Sequence, residues 1–189
     1  MNKVLIIVGV IVVALLVVFG WYRAGYNQAV MLDEAVTSSW AQVENQLQRR
    51  NDLIPNLVNT VKGFASQERG IFTEVTRLRS QWGAAKTVPE QIENAQAMTG
   101  ALSRLLLVAE NYPQLKSDQN FLTLQSQLEG TENRIAVERM RYNRAAQALN
   151  TFRRKFFGRF FASQAGITEP AAYFKAEEAA RQVPTVNFN

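Results

Sequence analysis

Residues 46–64, QLQRRNDLIPNLVNTVKGF, set a proline and a dense group of polar side chains inside a strongly amphipathic run. Leu47, Arg50, Ile54, Leu57 and Val61 recur at alternating steps of three and four, the spacing of a seam along one face of an α-helix. One member of that seam, Arg50, is charged. Pro55 removes the amide that would bond to the carbonyl of Asn51, and an interior proline costs about 3 kcal/mol relative to alanine. The stretch therefore predicts a helix that bends at Pro55 and is compensated locally. Asn51 and Asn56 stand close enough in sequence to donate to the freed carbonyls.

Outward from this stretch the pattern persists. Val36, Trp40 and Val43 extend the seam toward the amino terminus, and Ile71, Val75, Leu78 and Trp82 form a second run that ends at Gly83. A third run opens on TVPE, where Thr87 and Glu90 make a capping box with proline in the first turn. It carries Ile92, Ala95, Thr99, Leu102, Leu106 and Ala109, and Pro113 stops it near Tyr112. The fourth and longest run is Phe121, Leu124, Leu128, Thr131, Ile135, Glu138, Tyr142, Ala145, Leu149, Phe152 and Phe156. Gly63, Ser66 and Gly70 favour a turn or sharp kink between the first two runs. No sustained alternation and no hairpin turn competes. The class expected is all-α, with an amino-terminal transmembrane helix followed by an antiparallel four-helix bundle of long, coiled-coil-like helices. A parallel coiled coil is the alternative architecture.

Ahead of the seam, MNKVLIIVGVIVVALLVVFGWY runs uncharged from Val4 to Tyr22. As a helix rising ~1.5 Å per residue it covers roughly 28 Å, about one hydrocarbon core. Trp21 and Tyr22 fall where an interfacial aromatic belt belongs, and Arg23 follows as a headgroup anchor. A cleaved signal peptide is the competing reading, since Lys3 supplies a basic start. The apolar run exceeds a usual signal core, and FGWYRAG sets bulky aromatics where small residues should flank a cleavage point. The expectation is a retained, single-pass anchor over residues 1–25, a helical bundle over 26–152, and a carboxyl-terminal segment over 153–189 that packs on the bundle. Lys3 against Arg23, Asp33 and Glu34 tips the body toward the outer, periplasmic side.

The chain holds neither cysteine nor histidine, so disulfides, thiolate nucleophiles, Cys/His zinc sites and imidazole bases are excluded. Lys and Arg number 21 against 16 Asp and Glu, a net charge of +5 that suits an acidic partner, an anionic surface or simple solubility. Arg49, Arg50, Asp52 and Pro55 face a second polar group on the fourth run, EGTENRIAVERMRYN. Arg50 paired with Glu138 or Glu132 would fix helix register more than it adds stability. The plainer reading has both residues at the seam's edge, reaching water. Carboxylate pairs can also serve glycoside hydrolysis or metals, but the di-metal bundle pattern needs histidine, and no phosphate loop or serine elbow is present. No enzymatic activity, catalytic residue, metal or cofactor is expected.

In TFRRKFFGRFFASQAG, the cations Arg153, Arg154, Lys155 and Arg159 interleave with Phe152, Phe156, Phe157, Phe160 and Phe161. That composition fits a membrane-surface helix or, less well beside an anchor, a nucleic-acid groove. Alternatively Phe152, Phe156 and Phe160 close the bundle's end while the cations face water. Beyond Gly166, ITEPAAYFKAEEAARQ reads as a short helix with Pro170 in its first turn, and VPTVNFN as an extended tail.

YNQAVMLDEAVTSSWAQVENQLQRRNDLIPNLVNTVKGFASQE, ENYPQLKSDQNFLTLQSQLEGTENRIAVERMRYNRAAQALNTF and YFKAEEAARQVPTVNF resemble the LemA family of bacterial membrane proteins over nearly the whole chain. The resemblance implies an amino-terminal transmembrane helix, a helical bundle and no assigned enzymatic activity. A magnetosome-associated relative implies roles in organising membranes. Where this chain has Phe157-Gly158 and Gln67, family members usually carry Phe-Pro and often histidine. The function expected is a homo-oligomeric scaffold at the bacterial inner membrane, touching lipid and a protein partner but no nucleic acid. A tethered sensor or adaptor that binds a small ligand is the rival reading.

Overall fold

The computed structural model describes residues 2–175, and among these every regular element is helical. Helix α1 spans Asn2–Phe64, α2 Arg69–Ala84, α3 Val88–Val108, α4 Pro113–Lys116, α5 Gln119–Arg154 and α6 Gly158–Gln164, with a 3₁₀ turn over Ala109–Asn111. The chain is all-α. By packing it divides into two units. Among the described residues, one joins the chain up to Ala41 with Arg141–Ala171, and the other joins Gln42–Met140 with residues 172–175.

In the second unit, the seam positions from Val43 to Val61 decide the core. Val43, Leu47, Arg50, Ile54, Leu57 and Val61 of α1 are all buried, so the three-four rhythm holds without a miss. Ile54, Leu57 and Val61 meet Phe72, Val75 and Leu78 of α2, Met98, Leu102 and Leu105 of α3, Leu115 of α4, and Phe121 and Leu128 of α5. Full burial of such side chains contributes about 1.5–3 kcal/mol each. The α1 helix ends at Phe64, and Ala65–Glu68 form the turn in which the Glu68 amide bonds the Ala65 carbonyl at 3.1 Å. Gly63 and Gly70 flank this break and Ser66 lies within it, as their low helix propensity anticipates.

The α3 helix opens on the capping box. Thr87 Oγ1 accepts from the Glu90 amide at 3.4 Å, and Glu90 Oε2 accepts from the amides of Thr87 at 3.1 Å and Lys86 at 2.9 Å. These amides hold the Glu90 carboxyl below its ordinary value. Within α3 the buried row is Ile92, Ala95, Met98, Leu102 and Leu105, continued by Ala109 of the 3₁₀ turn, whereas Thr99 and Leu106 are only half-buried. The seam thus runs one residue off the sevens at two points, because three-residue steps suit a helix of 3.6 residues per turn pressed on several neighbours at once. Pro113 opens α4, and Asp118 Oδ1 accepts from the Phe121 amide at 2.9 Å to start α5.

In the first unit, Trp40 meets Tyr142 edge to face with ring centroids 5.3 Å apart. Ala29, Phe152 and Phe161 form a small buried cluster, with Leu32, Ala165 and Ile167 packed against it. Helix α6 ends in a Schellman turn: Gly166 takes φ +80°, its amide bonds the Ser163 carbonyl at 3.1 Å, and the Ile167 amide bonds Ala162 at 2.9 Å. Residues 167–175, where Pro170 was expected to open a helix, form none. The Asn150 amide instead brackets the backbone of Ala171, donating to its carbonyl and accepting from its N–H, each at 2.9 Å. The rest of that expected helix and the extended tail lie outside the described residues.

Candidate functional site

Two polar regions dominate the described residues, one in each unit. The first centres on Arg50, which is 2% exposed. Its Nη1 donates to Glu132 Oε1 at 3.2 Å and to Thr99 Oγ1 at 3.0 Å, and its Nη2 donates to the Ala95 carbonyl at 3.2 Å. One guanidinium thereby ties α1 to α3 and α5. Burial pulls the Arg50 guanidinium below its ordinary value, and Glu132 opposes that pull. Arg50 Nε and Gln46 Oε1 are buried without a hydrogen-bond partner among the described residues.

The other expected members of this cluster are placed differently. Arg49 and Asp52 are exposed, with Asp52 accepting from Gln48 at 2.8 Å, and Glu138 is half-buried on α5. Pro55 lies inside an unbroken α1. The carbonyl it frees, that of Asn51, is met at 3.4 Å by Nε of Arg79 from α2. Sequence reading looked for that donor among neighbouring amides, but it comes from 28 residues away. Only a tertiary contact supplies it, so no local pattern marked it.

The second region joins the anchor's exit to α6. Val4 through Phe19 project exposed apolar side chains, and α1 is the one described helix long and apolar enough to cross a membrane. At its far end the Trp21 ring packs edge to face on Phe157 and Phe161, with centroids 5.1 and 5.0 Å apart. Tyr22 lies 6.4 Å from Phe160 and 6.0 Å from Phe161. The Arg23 guanidinium stands 5.9 Å from the Phe19 ring. Gly25 makes the approach possible, because a Cβ there would overlap the Phe161 ring. Gly158 is equally constrained, since its amide bonds the Lys155 carbonyl at 3.1 Å and a Cβ would overlap the Phe152 carbonyl. A proline at this position could not donate that bond.

The seam was expected to continue through Phe156, and the alternative to a membrane-surface helix had Phe160 help close the bundle's end. Instead α5 ends at Arg154, Phe156 is 90% exposed, Phe157 and Phe160 are about half exposed, and Phe161 is the ring that is buried with Phe152. Arg153, Arg154, Lys155 and Arg159 line a surface groove of about 760 Å³ with Phe156 and Ser163. Among the described residues none of the four cations forms an ion pair, although Arg153 donates to the Thr168 carbonyl.

A family model described as the LemA family matches residues 39–188. Two relatives, magnetosome protein MamQ 2 and magnetosome protein MamQ 1 of Paramagnetospirillum magneticum, are each 28% identical over 181 residues, an alignment covering 82% of this chain and 66% of theirs. Magnetosome protein MamQ of Magnetospirillum gryphiswaldense is 25% identical over 151 residues, covering 66% of this chain and 56% of its own length. The chain thus spans just under two thirds of the first two relatives.

Proposed function

The chain belongs to the LemA family and is a membrane-associated helical protein, and from that premise we propose that it is a membrane-anchored scaffold that works by assembly rather than turnover. The anchor is a single pass through the bacterial inner membrane with the body on the periplasmic side, and the assembled unit contains several copies of the chain together with a protein partner. The observation that carries the membrane-anchored half of this reading is the sleeve of large apolar side chains from Val4 to Phe19, each about half or more exposed. Water does not tolerate such a surface on a folded helix; a hydrocarbon core does.

Four described glutamates already engaged in structural contacts support a non-catalytic role. Glu132 holds Arg50, Glu74 holds Arg104 at 2.6 Å, Glu110 holds Lys116 at 2.5 Å, and Glu68 accepts from the Tyr112 hydroxyl at 3.2 Å. Similarity to proteins named as magnetosome proteins supports association with a membrane. Light scattering on the full chain, extracted in detergent from washed membranes, tests the proposal. A mass of two or more copies is expected, whereas a strict monomer at working concentration, or protein released from membranes by alkaline wash, contradicts it.

A further inference from the structure

We propose that the groove formed by Arg153, Arg154, Lys155 and Arg159 binds the phosphate of anionic phospholipid, with Phe156 and Phe157 inserted beside the headgroups. The inference rests on the membrane-anchored half of the preceding proposal and is independent of copy number. Three observations on one unit carry it. Trp21 and Tyr22 end the apolar run, where an interfacial belt lies, and their rings pack directly on Phe157, Phe160 and Phe161. Contact at about 5 Å holds α6 at the depth of that belt. Gly25 is the residue that permits the contact.

Against the same rings stand four cations without an ion pair among the described residues, around a groove of about 760 Å³. A fold that engages both terminal nitrogens of Arg50 elsewhere leaves Arg154, Lys155 and Arg159 exposed. Phe156, at 90% exposure, is costly in water and favourable in the boundary between headgroups and acyl chains. Cations alone would suit free phosphate equally well. Cations interleaved with exposed phenylalanine beside a membrane span select the lipid as its source.

The test uses the full chain in neutral detergent, titrated with short-chain phosphatidylglycerol, phosphatidylcholine or inorganic phosphate, and reads bound ligand by native mass spectrometry. Phosphatidylglycerol is expected to bind at least tenfold more tightly than phosphatidylcholine, with millimolar phosphate failing to displace it. Replacing Arg154, Lys155 and Arg159 together by glutamine should weaken phosphatidylglycerol roughly fivefold per cation, on the order of a hundredfold in all. These side chains are exposed, so helical content should not change; if the triple variant fails to fold, Arg154→Gln with Arg159→Gln carries the same test. Phe156→Ser should lower affinity for both lipids. Equal binding of the two lipids, an unaffected glutamine variant, or displacement by inorganic phosphate would each overturn the proposal. Light scattering of the same sample reports the copy number separately, so failure of lipid selection is not mistaken for failure of assembly.

Discussion

Arg50 and the cations around the turn between α5 and α6 are the same kind of side chain used in opposite ways. Arg50 is almost wholly enclosed, and three acceptors on two other helices surround its terminal nitrogens. Arg154, Lys155 and Arg159 are exposed, pair with no carboxylate among the described residues, and share a groove with the most exposed phenylalanine of the described chain. The contrast separates charge that specifies the fold from charge available to something outside it. A buried guanidinium must be matched because its desolvation cost is several kcal/mol, whereas a surface cation needs no partner to be stable.

The sharpest break of that contrast is at Glu132. Glu132→Leu strands a buried cation and should cost about 3–5 kcal/mol in chemical denaturation, while Arg50→Met with Glu132→Leu should recover most of the loss. If the double variant is as unstable as the single one, Arg50 is not held by this pair. A comparison inside the aromatic group comes next. Phe161→Ala should cost about 3 kcal/mol, as a buried ring does, and Phe156→Ser within about 0.5 kcal/mol of nothing, both read from detergent-solubilised protein. Equal losses would mean that Phe156 packs on the fold after all.

A smaller effect sharpens the account of the proline. Arg79→Met should cost about 1 kcal/mol, and almost nothing in a Pro55→Ala background, where the restored amide bonds the Asn51 carbonyl itself. A double-mutant cycle with no coupling would dismiss Arg79 as the compensating donor. The smallest expected effect is at the α3 cap. Glu90 has a lowered folded value, so its support is fully present above the unfolded carboxyl value near 4.5 and is lost as pH falls through the lowered one. The melting-temperature gap between the native chain and Glu90→Gln should therefore narrow on acidification from neutral pH toward pH ~3; a gap that widens there contradicts the cap.

How much of this was legible follows from which interactions are local. The α1 seam and the α3 cap depend on neighbours within a turn or two, and both read directly from spacing. Arg50 announced a charge in a seam, which demanded a partner, and the two carboxylates within reach on the fourth run included the one that receives it. Arg79 could not be foreseen, because nothing near Pro55 in sequence points to α2. As a member of the seam, Phe156 departs from expectation for a similar reason. Its step of four from Phe152 continues the seam on paper, but the helix ends at Arg154 and the turn swings the ring outward. Met98 and Leu105 were passed over because strict sevens favour Thr99 and Leu106, while the helix itself keeps 3.6 residues per turn.

The absence of cysteine makes the decisive measurement simple, since Phe156→Cys introduces a single thiol for a nitroxide label. With the full chain in vesicles containing phosphatidylglycerol, relaxation of that label by oxygen and by a water-soluble nickel complex reports its depth, and a label at the exposed Lys86 serves as the aqueous reference. A label at 156 that is oxygen-accessible and shielded from nickel, beside a freely nickel-accessible one at 86, is the result expected. Equal nickel accessibility at the two positions would contradict the account.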